Sequence, residues 1–219
     1  MKISLSSKSF LFPANASALV VLLLFVFFNS SLQAQSDNYH LGVRGGIGMS
    51  TLSGYDNNGL KLGITAGVYG QYKIIDRHFV AAELFYSTGG QQAEKWIISG
   101  DAQVKQYSKY TLHYINIPIL YQHYFPEILG LEAGFNFRYC LSGSLKTKIG
   151  NGSWQSENFS SSYNSFDMGL MLGIYTENLI PHDNFFVSLR AYFGFIDVVK
   201  EVGSNKNLSV TASIGYMLF

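Results

Sequence analysis

From residue 39 onward, apolar side chains fall on every second position in stretch after stretch. A period of two is the mark of a strand with one apolar face. The clearest run joins Leu129, Leu131, Ala133, Phe135, Phe137, Tyr139 and Leu141. Between them stand Gly130, Glu132, Gly134, Asn136, Arg138, Cys140 and Ser142, which are small or polar. The same alternation predicts strands over 39–49, 61–74, 79–88, 164–175, 185–196 and 208–219. Residues 108–124 are less regular. Their apolar phase runs Tyr110, Leu112, Tyr114, then shifts to Ile115, Ile117, Ile119 and Tyr121, with Pro118 inside. Proline cannot donate to a ladder, so the shift predicts one strand carrying a bulge. The total is eight strands.

The connections alternate in length. Segments 50–60, 88–107, 143–163 and 197–207 are long; 75–78, 125–128 and 177–184 are shorter. Antiparallel barrels of the outer membrane have short periplasmic turns and long external loops. A strand that crosses a bilayer at a tilt needs about 9–11 residues, which these runs supply. The predicted fold is therefore all-β, an eight-stranded antiparallel up-and-down transmembrane β-barrel. Its apolar faces meet lipid. Its lumen encloses Gly, Ser and a charge network of Arg44, Glu83, Glu132, Arg138, Asp167 and Arg190, whose mixed signs let them pair. Tyr39, Tyr72, Tyr86, Tyr110, Tyr121, Tyr175 and Phe185 lie near strand ends, as interfacial girdles require. The alternative is a soluble lipocalin-type barrel, which turns its apolar face inward. A Gly-rich, sparsely charged polar face suits a cramped lumen better than a wet exterior.

Composition agrees. Charged residues are 13% of the chain, against roughly 25% in soluble domains, while Tyr number 15, Phe 17 and Gly 22. A net charge of +1 gives no electrostatic reason for nucleic-acid binding. The single cysteine, Cys140, allows no internal disulfide and reads as a packed side chain. At the start, Lys2 and Lys8 precede an apolar run over 16–28 and a polar stretch ending at Ala34. This three-part plan predicts a signal peptide over 1–34, followed by a barrel domain over 35–219. The apolar run is too short for a membrane-spanning helix.

Several short motifs carry a resemblance. They are Gly42-Val43-Arg44-Gly45-Gly46 leading to Ser50-Thr51-Leu52-Ser53-Gly54, and Glu83-Leu84-Phe85-Tyr86-Ser87 with Gly89-Gly90. Tyr114-Ile115-Asn116-Ile117-Pro118, Leu131-Glu132-Ala133-Gly134 and Phe166-Asp167-Met168-Gly169-Leu170 continue the order. Together they resemble the PorT-like outer-membrane β-barrel proteins, a Bacteroidetes-type family of small barrels. The resemblance implies outer-membrane localisation and outer-membrane lipid as surroundings. It also implies insertion by the outer-membrane assembly machinery, which reads a terminal aromatic, here Phe219 with Tyr216 as the aromatic before it. The final alternation, however, runs through Tyr216 and Leu218, one residue out of phase with Phe219.

Catalytic chemistry has little support. His40, His78, His113, His123 and His182 stand in no arrangement with a nucleophile and an orienting group. Glu83 and Glu132 read as lumen ion-pair partners rather than as paired catalytic carboxylates. Asp56-Asn57-Asn58-Gly59 lacks the spacing of a calcium loop and reads as a turn. The expectation is no enzyme, no metal and no cofactor. Function would lie in the external segments 88–107 and 143–163, with Trp96 and Trp154 as contact anchors, since aromatics dominate interfaces. The alternatives are a narrow pore, or an accessory subunit of an envelope transport or secretion assembly with an envelope protein partner.

Overall fold

The computed structural model describes residues 38–54, 58–99, 102–125, 129–158, 163–177, 184–199 and 204–218. The signal segment 1–34, His182 and Phe219 lie outside these residues. Ten strands form among the described residues: β1 (Tyr39–Leu52), β2 (Asn58–Gly59), β3 (Lys61–Ile75), β4 (His78–Ser99), β5 (Ala102–Tyr124), β6 (Leu129–Ile149), β7 (Gln155–Asn158), β8 (Phe166–Glu177), β9 (Phe185–Asp197) and β10 (Lys206–Met217). Eight of them close a ring. The order β4-β3-β1-β10-β9-β8-β6-β5 returns to β4 through the β4–β5 pairing, and every pairing is antiparallel. Closure leaves no sheet edge across the wall, which a bilayer demands because hydrocarbon offers no hydrogen-bond partner.

The barrel is apolar outside and polar inside. Phe135 is 50% exposed and Leu131 45%, and Ile64, Leu84, Ile119, Leu189 and Ile214 are likewise exposed. The lumen-facing Glu83 and Arg44 are only 5% and 6% exposed. A soluble barrel would reverse this, and an apolar surface of such extent marks contact with lipid. Tyr39 and Tyr72 touch at 4.7 Å between ring centroids, and Phe185 and Tyr216 at 5.0 Å, at the end bearing the short turns. One of those turns is Asp76 and Arg77, with Arg77 at φ 64°. That end is periplasmic by the length rule.

Several expectations change. Segments 88–107 and 143–163 are not chiefly loops. Strands β4, β5 and β6 run 22, 23 and 21 residues, far past the membrane wall. With β2 on one side and β7 on the other, they build an outer sheet in the order β2-β4-β5-β6-β7. Neither face meets lipid tails there, so the lipid-type alternation fades and the segment reads as loop. Gly89-Gly90 is the point where wall becomes sheet. Gly90 adopts φ 128°, and a Cβ would lie 2.2 Å from the Tyr110 carbonyl oxygen, so only glycine fits.

The bulge predicted at Pro118 lies elsewhere. Pro118 is buried in an uninterrupted β5 and faces Asn136. The register slips instead between His113 and Tyr114 against β6, where Leu141 is the extra residue. Ser142 is accordingly exposed rather than in the lumen. The apolar shift in β5 has another cause: Leu112, Tyr114 and Leu120 fill the interior. Tyr175, expected in a girdle, is also interior and buried, and Tyr110 shares the inner face with Leu112.

Candidate functional site

Strand alternation brings four charged residues from four strands to one level of the lumen. Arg44 comes from β1, Glu83 from β4, Glu132 from β6 and Arg190 from β9. Arg44 donates through Nη1 to both Glu83 oxygens at 3.0 Å. Arg190 forks onto the same carboxylate, each of its Nη atoms donating at 2.7 Å. Arg190 also holds Glu132, through Nη2 at 2.7 Å and through Nε. Gln122 donates to Glu132 at 3.0 Å, while Arg44 reaches Ser188 at 2.9 Å and Ser213. Two cations and two anions thus cancel within one hydrogen-bonded set. Buried ions are tolerated only when paired and bonded in this way.

The other two predicted lumen charges stand apart from that set. Arg138 and Asp167 approach to 3.8 Å. The Arg138 guanidinium lies 4.0 Å from the Tyr114 ring centroid and 4.7 Å from that of Tyr192, a cation–π sandwich. Asn207 donates to Asp167 and to the Tyr114 hydroxyl, both at 3.0 Å.

Apolar layers seal both sides of the charges. Toward the periplasm, Tyr69, Tyr175 and Phe186 lie across from Gly42, Gly130 and Gly215. Tyr69 meets Phe186 edge-on at 4.8 Å, and Tyr124 meets Tyr175 at 4.7 Å. Above the charges, Phe85, Leu120, Met171 and Tyr192 cluster with Ala81. Higher still, Leu52, Leu112, Tyr114, Tyr163, Val198 and Val199 form a cap, with Cys140 packed against it. The lumen cavity beside Arg44, Asn136 and Arg138 measures about 50 Å³, room for little more than water. The periodicity rule missed these layers because it assigned apolar residues to the lipid side. The one signal for them was the shift at Leu112 and Tyr114.

The histidines do not form a catalytic set among the described residues. Asp76 pairs with Lys73 at 3.3 Å. His78 faces His123, Nδ1 to Nδ1 at 3.3 Å, and contacts the Tyr121 hydroxyl. His113 contacts the Tyr86 hydroxyl. No group of three or more metal-ligating side chains occurs among the described residues.

The outer sheet draws the two tryptophans together. Trp96 lies in β4 opposite Lys105, and Trp154 just precedes β7. Both line one groove of about 720 Å³ with Tyr107 and Lys109. The Lys105 ammonium stands 5.4 Å over the Trp96 ring and 3.1 Å from Glu94. Its hydrogen bond to Glu94 raises its pKa above the ordinary lysine value. Tyr216 of the expected assembly signal is partly exposed on the outer wall beside Phe185.

Residues 33–200 match the family model described as outer membrane protein beta-barrel domain. No curated protein matches the chain. Among solved structures, neisserial surface protein A (NspA) is 14% identical, with a TM-score of 0.48, over 80% of this chain and 96% of that one. Ail, the attachment invasion locus protein of Yersinia pestis, in complex with the heparin analogue sucrose octasulfate, is 14% identical with a TM-score of 0.43. That match covers 83% of this chain and 99% of Ail. The outer membrane protein OprG from Pseudomonas aeruginosa is 15% identical with a TM-score of 0.43, over 83% and 96%.

Proposed function

The chain belongs to the outer membrane protein beta-barrel domain family, and from that premise we propose that it is a non-conducting, non-catalytic barrel that works through its extracellular sheet. The observation that carries this reading is the filled lumen. Ion-paired Arg44, Glu83, Glu132 and Arg190 are stacked between aromatic and aliphatic layers, and the cavity beside Arg44 and Arg138 measures about 50 Å³. A pore needs a continuous wet path, and a lumen filled by side chains supplies none. The chain instead extends strand outward. Ser99 lies 13 residues beyond Tyr86, about 44 Å of chain at about 3.4 Å per residue. Kinship with the PorT-like barrels belongs to the same proposal and rests on the ordered motifs from Gly42–Gly46 to Phe166–Leu170. So does insertion by the assembly machinery through the C-terminal strand bearing Tyr216.

The test is planar-bilayer conductance of the refolded full chain. The expected record is flat, without ion steps above the lipid baseline. Stable, reproducible channels would overturn the reading and favour the narrow pore.

A further inference from the structure

One face of the outer sheet carries more positive charge than its own fold uses. Antiparallel register sets Gln92, Lys109, Lys146 and Ser156 side by side across four strands. The next rung holds Glu94, Tyr107 and Lys148, and the one beyond pairs Trp96 with Lys105. Trp154 completes the groove. Among the described residues, four lysines and three aromatic rings therefore share this face with a single carboxylate, Glu94, and Lys105 already engages it at 3.1 Å. Lys109, Lys146 and Lys148 have no acidic partner among the described residues. Lys109 and Lys146 stand directly opposite each other, an arrangement that costs stability while both charges are bare.

This face is the upward continuation of the lipid-facing wall. On β4 the outward positions Leu84 and Tyr86 lead to Gln92, Glu94 and Trp96. On β5, Ile115 and His113 lead to Lys109, Tyr107 and Lys105. Tyr86 and His113, with ring centroids 6.0 Å apart, mark the upper edge of the apolar wall. Lys109 precedes His113 by four residues, about 14 Å along the strand and about 10 Å in height at the usual barrel tilt. That is where headgroups stand, and the lysines point sideways into them rather than upward into the medium.

We infer that this face binds the phosphorylated sugar headgroups of glycolipid in the surrounding outer leaflet. Lys109, Lys146 and Lys148 meet the phosphates, as basic clusters beside a membrane meet anionic lipid. Tyr107 packs against the sugars at the interface that such rings favour, and Trp96 and Trp154 stand further out on the same face. The inference rests on the surface-interaction reading above and names its partner. A soluble polyanion has the same charge but gives no reason for a face turned along the membrane.

The full chain is refolded into phosphatidylcholine nanodiscs containing either diphosphoryl or dephosphorylated lipid A, and lipid retention is read by native mass spectrometry. Diphosphoryl lipid A is expected to be retained over the dephosphorylated form. Lys109→Gln with Lys146→Gln should weaken that retention about thirtyfold, the effect of removing two lysines at an anionic surface. Equal retention of the two lipids, or equal retention by wild type and variant, overturns the inference. Heparin serves as the soluble probe. Heparin binding without any preference for phosphorylated lipid overturns the headgroup assignment and leaves the surface-interaction reading standing. Ion channels in the bilayer experiment overturn that reading instead. Heat-modifiable gel mobility shows that the variant is folded. If it is not, the wild type is measured at rising salt, where retention must fall, and salt-insensitive retention overturns the inference.

Discussion

Replacing Glu83 by Gln tests how the lumen holds together. The carboxylate accepts four hydrogen bonds, two from Arg44 at 3.0 Å and two from Arg190 at 2.7 Å. An amide keeps the volume but removes the charge, and its NH₂ faces guanidinium donors. Arg190 retains Glu132, whereas Arg44 keeps Ser188 and Ser213 as its hydrogen-bond partners among the described residues. Breaking a buried pair from one side costs about 3–5 kcal/mol. For a chain of this size that is about 6–20 °C in melting temperature. The assay is urea unfolding of the refolded barrel in lipid, followed by tryptophan fluorescence and gel mobility. The companion variant combines Glu83→Gln with Arg44→Gln. It leaves Arg190 and Glu132 as a neutral pair, so it should recover at least about 1 kcal/mol of the single loss through coupling. A Glu83→Gln cost below about 1 kcal/mol, or strictly additive losses in the double variant, would refute the network as the organiser of the lumen.

Other outcomes follow from the same geometry. Phe135→Arg places a cation on the lipid face near mid-membrane and should cost about 2–4 kcal/mol in bilayer refolding, whereas Trp96→Arg on the outer sheet should leave barrel stability unchanged. Leu112→Ala opens the interior cap and should cost about 2–5 kcal/mol in the same unfolding assay. Gly215→Val drives a Cβ to 2.0 Å from the Phe186 ring, and overpacking of this kind should lower stability by about 1–3 kcal/mol. Gly90→Val strains a φ of 128° against the Tyr110 carbonyl; hydrogen exchange of the 91–110 amides should rise while the wall strands stay protected.

Sequence alone determined the wall. Period-two alternation in runs such as Leu129 to Leu141 fixes which side meets lipid, because a strand's side chains alternate and a bilayer accepts only the apolar face. It also set the eight strands of the wall and told the end with short turns from the end with long excursions, since the intervals between runs alternate in length. Tertiary structure decided the rest. Which arginine meets which glutamate depends on ring closure and register, which bring β1, β4, β6 and β9 to one level although they are far apart in the chain. The interior layers of Leu112, Tyr114 and Met171 were hidden because a closed lumen of this width also buries apolar groups, breaking the link between apolar and lipid-facing. The outer sheet was hidden for the opposite reason. Once β4, β5 and β6 leave the hydrocarbon, neither face meets lipid tails, no alternation is imposed, and only the pairing of one strand with the next reveals that Trp96, Lys109, Lys146 and Trp154 share a surface.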